Sequence, residues 1–194
     1  MLNPINYIEE LGNAMRIALF RKTAMQAVAT EKGKTTFAYL IIIATEVILI
    51  ITALLAPAFY RPSLISAILG TTMQMIMIVI GIYALSFVAV KFFKGSGRHD
   101  QFFRVASYSM IIYWLMIIYP LINLITVSSL LGGVIMMFTI YPIVLWILAL
   151  MFVILKTVHK LTTGGAIGTV IIGFIFMMIM GSITLPLQKI LDFS

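Results

Sequence analysis

The chain has 194 residues, of which 62% are hydrophobic and only 10% are charged, whereas an ordinary soluble domain is about 25% charged. So few charged side chains cannot cover the outside of a folded chain of this size, which excludes a water-soluble globule. On such a chain the formal net charge of +7 indicates membrane topology and contact with anionic lipid, and nucleic acid is not expected as a partner. Cysteine is absent, which excludes disulfides, thiol nucleophiles and Cys-ligated zinc.

The amino-terminal segment, residues 1–35, is predicted to be cytoplasmic and to form an interfacial amphipathic helix rather than a cleaved signal peptide. Asn3 and Pro4 suit the start of a helix. The apolar face consists of Ile5, Ile8, Met15 and Leu19, opposite Asn6, Glu9, Asn13 and Arg16. Such a helix lies on the membrane surface or packs beneath the helix bundle, and the sequence leaves both arrangements open.

Five continuous apolar stretches follow in residues 36–194. Each is about as long as the roughly 20 residues that a helix needs to cross the hydrocarbon layer. They cover residues 37–59, 68–90, 105–125, 134–155 and 166–185. Because the stretches are continuously apolar and do not alternate, they favour helices over barrel strands. The predicted fold is an all-α polytopic bundle of five transmembrane helices with the amino-terminal amphipathic helix.

The positive charges predict the orientation of the bundle. In a five-span arrangement, eleven of the thirteen Lys and Arg residues fall on one side of the membrane, and only Arg61 and Lys189 fall on the other. Since Lys and Arg are retained in the cytoplasm, the amino terminus is expected inside and the carboxyl terminus outside. The cell membrane is the expected location.

Glu46 lies near the middle of the first predicted span, where a charged side chain costs roughly 2.5–3.5 kcal/mol. No Lys, Arg or His lies in the core of a predicted span, so its partners must be hydroxyls, amides or water. The candidate intramembrane polar site comprises Glu46, Gln74, Tyr83, Ser86, Tyr108, Tyr113 and Asn123, with Ser109 and Tyr119 as further candidate donors. Glu46 is then either a proton- or cation-binding carboxyl or a hydrogen-bonded contact that holds two helices together.

The two predicted cytoplasmic loops carry cations together with glycine. A Gly-x-Gly turn can direct backbone N–H groups at an anion, but neither a P-loop nor a dinucleotide-binding pattern is present. The loop residues that could bind an anion or a partner are Lys94, Gly95, Gly97, Arg98, Arg104, His159 and Lys160. The alternative is a pair of basic connectors at the membrane interface.

The motifs of intramembrane enzymes are missing from the predicted spans. Both histidines, His99 and His159, fall in predicted loops, and both aspartates, Asp100 and Asp192, lie outside the spans. These positions argue against intramembrane serine and aspartyl proteases, and there is no His-Glu-x-x-His cluster for a metalloprotease. No catalytic residue, metal or cofactor is predicted.

Three stretches of the chain resemble a known family. They are the early Asn3-Pro4, the run from Gly95-Ser96-Gly97 through Phe102-Phe103-Arg104 to Tyr108, and the run from Trp146 through His159-Lys160 to Gly164-Gly165-Ala166. In these stretches the chain resembles the Yip1 domain proteins, which implies five spans and a cytoplasmic amino terminus. Eukaryotic members are associated with vesicle traffic and prenylated Rab GTPases and carry a longer amino-terminal region. This chain is more similar to the compact prokaryotic members, so the resemblance does not extend to Rab binding.

The sequence therefore predicts a non-enzymatic integral membrane protein that acts as a scaffold or adaptor through helix–helix contacts and a basic cytoplasmic face. Its expected partners are membrane lipids, with a membrane protein or a second copy of the chain as further candidates. The alternative is a small transporter or channel component that uses Glu46 as a proton or cation site. A polar cavity that reaches Glu46 favours transport, whereas a dry core with one hydrogen bond to Glu46 favours the scaffold.

Overall fold

The structure, a computed structural model, describes residues 4–56, 62–123 and 129–192. Within these ranges the chain is helical and contains no strand, which confirms the predicted all-α class. The elements are α1 (Pro4–Ala18), α2 (Lys22–Thr30), α3 (Lys34–Leu54), α4 (Leu64–Phe93), α5 (His99–Ser109), a 3-10 helix (Met110–Ile117), α6 (Ile118–Asn123), α7 (Ser129–Val158) and α8 (Thr163–Asp192).

Three helical stretches are long and apolar enough to cross a membrane, namely Lys34–Leu54, Leu64–Phe93 and Ile140–Val158. They correspond to the first, second and fourth predicted spans. Their outer surfaces are apolar, with Ile65 71% and Leu145 65% exposed. Since apolar surface of this kind is unfavourable in water, the protein is embedded in a membrane. The fifth predicted span lies in α8, where the apolar helix Thr163–Phe176 is shorter, and the number of five spans stays a prediction.

The third predicted span, residues 105–125, is not one continuous α-helix. Its first residues belong to α5, which begins at His99, and a 3-10 helix of 8 residues follows before α6. Such a long 3-10 stretch is uncommon. Pro120 in α6 explains part of it, because proline lacks the N–H that would bond to the carbonyl of residue 116 and its ring crowds that carbonyl. Residues 124–125 of this span lie outside the described residues.

Helices α4 and α8 pack closely because α8 presents small residues to α4. A Cβ atom on Gly168 would collide with the ring of Phe93, and one on Gly173 would collide with the side chain of Leu85. Thr169 is fully buried between these glycines, and its hydroxyl donates to the Gly165 carbonyl at 2.8 Å. The small-residue face of α8 therefore packs inside the chain along its described part, as close helix packing in membranes requires.

Helices α1 and α2 form a hairpin that packs against α5 and α7. Phe20 at the turn has a φ of 61°, and its ring stacks on Trp146 of α7 with centroids 5.9 Å apart. The Trp146 indole N–H also donates to the Ala18 carbonyl at 2.8 Å. This carbonyl lies in the last turn of α1, where it has no partner within the helix, so the tryptophan satisfies it.

The α4–α5 connection packs directly on the α7–α8 connection. Both contain a lysine in the left-handed region, Lys94 with a φ of 56° and Lys160 with a φ of 53°. The Ser96 backbone N–H donates to the His159 carbonyl at 3.0 Å. The backbone of Gly97 lies so close to the Val158 carbonyl that a Cβ atom would not fit. Two turns separated by more than sixty residues thus form one packed unit.

The close approach at Gly97 predicts a large effect of a single methyl group. We expect Gly97→Ala to lower the free energy of unfolding by about 1–3 kcal/mol, since the obstructing atoms belong to the backbone. Gly164→Ala, in the first turn of α8, is the matched control, because nothing lies within 4 Å of the place that its new methyl group would take. That control should be neutral or stabilising by up to about 1 kcal/mol. Thermal unfolding in detergent, followed by circular dichroism, measures both, and equal stabilities would contradict the packing.

Candidate functional site

Helix α5 is the centre of the polar contacts in the described part of the chain. Phe102 to Ser109 are all buried. At its amino end the Arg98 backbone N–H donates to the Gln101 side-chain oxygen at 3.1 Å, which fixes the start of the helix. Asp100, Arg104 and Tyr108 lie four residues apart, so one face of α5 carries all three toward the amino-terminal helices.

Arg104 joins α5 to the carboxyl end of α2. Its guanidinium donates to the carbonyl oxygens of Val28 at 3.2 Å and Ala29 at 2.5 Å, and also to Thr35 Oγ1 and Asp100 Oδ2. The side chain is only 4% exposed. Carbonyls in the last turn of a helix lack partners and carry the negative end of the helix dipole, so a buried cation is well placed there. Burial raises the pKa of Asp100, but Arg104 and Arg98 outweigh it and hold the pKa below its ordinary value.

Glu10 joins α1 to α3 and α5. Its carboxylate accepts from Lys34 Nζ at 2.8 Å and from the Tyr108 hydroxyl at 2.7 Å, with Asn13 at 3.4 Å. The side chains of Lys34 and Glu10 are only 9% and 13% exposed. Burial raises the pKa of Glu10, but the hydrogen bonds from Lys34, Tyr108 and Asn13 outweigh it and hold the pKa below its ordinary value. The carboxylate therefore stays ionised and paired.

Ser86, His99 and His159 form a second polar cluster on another side of α5. Ser86 Oγ lies 2.8 Å from His99 Nδ1 and 2.9 Å from His159 Nε2. Because the hydroxyl has one hydrogen, it donates to one imidazole and accepts from the other. His159 is fully buried, and its Nδ1, which faces the Gly97 backbone, makes no well-formed hydrogen bond. Desolvation lowers the pKa of His159 to about 4, helped by the charge of His99 and opposed by the Gly97 backbone.

The distance from Ser86 to His159 is that of a nucleophile and its base. Ser86 is nevertheless fully buried, and the two imidazoles already engage its hydroxyl. A substrate carbonyl therefore has no access to the oxygen, and the cluster ties α4, α5 and the α7–α8 connection together. Among the described residues, no group of three or more His, Asp or Glu side chains could hold a metal ion.

Among the described residues Glu46 has one hydrogen-bond partner, since its Oε1 accepts from Thr72 Oγ1 of α4 at 2.5 Å. The other members of the candidate polar site are not gathered around it. Ser86 bonds to the histidines, Tyr108 bonds to Glu10, and Gln74 is exposed. Tyr83 is exposed and stacks on Phe103, and Tyr113 lines an apolar cavity. The Ser109 hydroxyl donates to the Ala106 carbonyl. The side chains of Asn123 and Tyr119 lie outside the described residues.

Some of the candidate loop residues are exposed, and others are buried in contacts that hold the helices together. Lys94, Arg98 and Lys160 are exposed, whereas Arg104 and His159 are buried in the contacts described above. The Gly95 N–H donates to the Ala89 carbonyl at 2.9 Å, and the next N–H is bonded to His159. These backbone donors are therefore engaged inside the chain. His99, expected in a loop, is the first residue of α5.

The sequence indicated which polar residues could matter but not which of them form hydrogen bonds with each other. Glu10 and Lys34 were not predicted to pair, and Thr72, the partner of Glu46, was not among the candidate donors. The spacing of Asp100, Arg104 and Tyr108 was a usable signal, because polar residues four apart before an apolar run indicate a polar helix face. Nothing local indicated that Ser86 and His159, 73 residues apart, would meet.

Comparison with known proteins identifies a family. The family model of the Yip1 domain matches residues 17–184. No curated protein matches, and no solved structure matches. The matched range contains α2 to α7, most of α8 and the Ser86–His99–His159 cluster, but it begins after Glu10.

The buried guanidinium predicts an unequal effect of neutralising two neighbouring arginines. We expect Arg104→Gln to lower the free energy of unfolding by about 3 kcal/mol and to speed hydrogen exchange in α2, because two terminal carbonyls lose a charged donor. Arg98→Gln is the control. Its side chain is 69% exposed and pairs with Asp100 at the surface, so its loss should cost less than about 1 kcal/mol. Equal losses would show that Arg104 does not hold α2.

The low pKa of His159 predicts that stability falls in acid. Unfolded histidine has a pKa near 6.5 and binds a proton at a higher pH than folded His159, whose pKa is about 4. The contribution is therefore fully present above about pH 6.5 and is lost as the pH falls toward 4, by up to about 3 kcal/mol. Unfolding of the wild type and of His159→Gln across this range should give a flatter profile for the variant. Parallel profiles would contradict it.

Proposed function

Because the chain belongs to the Yip1 domain family, we propose that it is a non-enzymatic membrane scaffold or adaptor. It binds partners through helix–helix contacts in the bilayer and through a basic face on the cytoplasmic side. In this proposal five helices span the cell membrane, the amino terminus is cytoplasmic and the carboxyl terminus lies outside. The partners are anionic lipid together with a membrane protein or a second copy of the chain.

The observation that carries the proposal is that nine of the eleven cations on the predicted cytoplasmic side are exposed. Lys34 and Arg104 are buried and fasten α1 and α2 to α3 and α5. The other nine are exposed, namely Arg16, Arg21, Lys22, Lys32, Lys91, Lys94, Arg98, Lys156 and Lys160. We call α1 and α2 together the amino-terminal platform. A fixed support with an exposed basic surface suits recognition of an acidic partner or anionic headgroups.

The outer face of α1 supports a position at the membrane interface. Ile8, Met15 and Leu19 are 76%, 61% and 61% exposed, while the opposite face buries Asn13 and Ile17. A helix that packs on a water-soluble core does the reverse, with its apolar side inward. The outward apolar stripe therefore favours contact with lipid or with the apolar surface of a partner.

The surroundings of Glu46 favour the scaffold over the transporter. The carboxyl bonds to Thr72 on the neighbouring helix, and it is not among the residues that line the cavity between α4, α7 and α8. A single hydroxyl partner suits a contact that holds α3 against α4, whereas a transported ion needs several ligands and a path.

Photo-crosslinking from the platform in native membranes tests the adaptor. A photoreactive residue replaces the exposed Thr23, and the crosslinked protein is identified by mass spectrometry. Reversing two neighbouring charges, Arg21→Glu with Lys22→Glu, should lower the yield of that product about tenfold or more, because rim charges govern encounter with an acidic partner. The matched control exchanges the two cations, Arg21→Lys with Lys22→Arg, and should keep the yield.

The opposite result would favour transport. If no partner is captured and the purified protein moves protons or cations across liposomes, with flux abolished in Glu46→Gln, the adaptor proposal fails. Glu46→Gln keeps a hydrogen-bonding side chain but cannot ionise, so it separates an ion site from a helix contact. Under the adaptor proposal this variant keeps its fold and its crosslinking yield.

A further inference from the structure

An apolar cavity of about 250 Å³ lies between α4, the 3-10 helix, α7 and α8. Its walls include Leu85, Tyr113, Leu148, Met151, Val170 and Phe174. The tyrosine hydroxyl is the only polar side-chain atom among the lining residues. A cavity with this lining does not hold ordered water, because water needs several polar partners.

The cavity has a cause in the packing of α8. Gly168 and Gly173 bring α8 against Phe93 and Leu85 of α4, closer than any larger residue would allow. Leu148 and Met151 of α7 face Val170 and Phe174 of α8 across the space that remains. The space is a half-open pocket rather than an enclosed void, and Phe174 in its wall is exposed. In a membrane, an open apolar pocket of this kind is accessible to lipid acyl chains.

Lys156, near the end of α7, lies on the same side of that helix as the pocket residue Leu148. On α7, Leu148 in the cavity wall is followed at intervals of four by Phe152 and Lys156, which places all three on one side of the helix. Lys156 Nζ lies 5.5 Å from the centroid of the Phe152 ring. It also donates to Thr163 Oγ1, at the start of α8, at 3.0 Å. The ammonium group is thereby held above the gap between α7 and α8.

The distance from Leu148 to Lys156 suits a phospholipid. Eight residues separate Leu148 from Lys156, which corresponds to about 12 Å of helix rise. One leaflet of the hydrocarbon layer is about 15 Å thick. The phosphate lies about 5 Å outside that layer. A headgroup phosphate at Lys156 would therefore place the middle of an acyl chain at the level of Leu148. The ammonium has three donors, of which Thr163 occupies one, so donors remain for phosphate oxygens.

We propose that the cavity holds one acyl chain of an anionic phospholipid whose phosphate binds Lys156. A pocket of about 250 Å³ is too small for a helix, whose diameter with side chains is about 10–12 Å. The site lies apart from the amino-terminal platform and does not depend on the adaptor's protein partner. The lipid in this site is bound specifically, unlike the exchanging lipids that surround any membrane protein.

Photo-crosslinking with a labelled lipid tests the site. The full chain is reconstituted into phosphatidylcholine vesicles that contain a minor fraction of phosphatidylglycerol with a diazirine midway along one acyl chain. After illumination, mass spectrometry locates the labelled residues. We expect the label to concentrate on Leu148, Met151, Val170 and Phe174, and Val170→Trp, which fills the cavity, should lower that labelling about tenfold. Ile171→Trp is the matched control, because Ile171 is 53% exposed on the adjacent position of α8.

The headgroup contact has its own control. Lys156→Gln should lower labelling by phosphatidylglycerol about fivefold, toward that of a labelled phosphatidylcholine, whereas Lys156→Arg, which keeps the positive charge, should retain most of it. If Val170→Trp unfolds the protein, Leu148→Phe fills the same cavity from α7. Labelling spread evenly over exposed apolar residues, or equal labelling in Val170→Trp and Ile171→Trp, overturns the acyl-chain site. Equal labelling by the two lipids in the wild type overturns the phosphate contact.

Discussion

Lys34 and Arg104 are cations withdrawn from solvent where the amino-terminal helices meet the membrane bundle. Removing a charged group from water costs several kcal/mol unless its partners replace the lost hydration. For Lys34 the replacement is the Glu10 carboxylate, which also accepts from Tyr108. For Arg104 it is the carbonyl end of α2 with Asp100. If the platform separated from the bundle, Lys34, Glu10 and Arg104 would lose their partners while still largely shielded from water. These contacts therefore hold the platform and the bundle in position.

Helix α5 is where this constraint meets the rest of the fold. One side of α5 carries the contacts to α1 and α2, and His99 at its first turn bonds to Ser86 of α4. Ser86 in turn bonds to His159 beyond the end of α7. A change in the position of α5 would therefore disturb three regions at once. The short glycine turn before α5 keeps the helix in register, because Gly97 lies against the backbone of the α7–α8 connection.

Hydropathy and charge were sufficient to predict the fold class and the three clearly apolar stretches in α3, α4 and α7. Unpaired backbone groups and charged side chains are costly in lipid, so a chain that crosses a membrane must form long apolar helices. The same reasoning singled out Glu46, whose position in an apolar run is visible locally. It could not identify Lys34 or Arg104, because cations at the ends of spans ordinarily report orientation. The 3-10 helix was also missed, since Met110–Ile117 is as apolar as a continuous α-helix would be. The pairing of Ser86 with His159 depends on tertiary packing alone.

The bond between Glu10 and Tyr108 joins residues 98 positions apart. As the chain leaves the ribosome, α1 and α2 are made long before α5 exists. The amino-terminal hairpin must then wait while two long apolar helices are inserted, with its apolar stripe uncovered and Glu10 without its tyrosine. A contact between residues so distant in sequence forms late, which slows folding and prolongs the exposure of aggregation-prone apolar surface. The exposed apolar side chains of α1, Ile8 and Met15, can contact the bilayer surface during that interval, so the order of synthesis favours apolar residues at these positions.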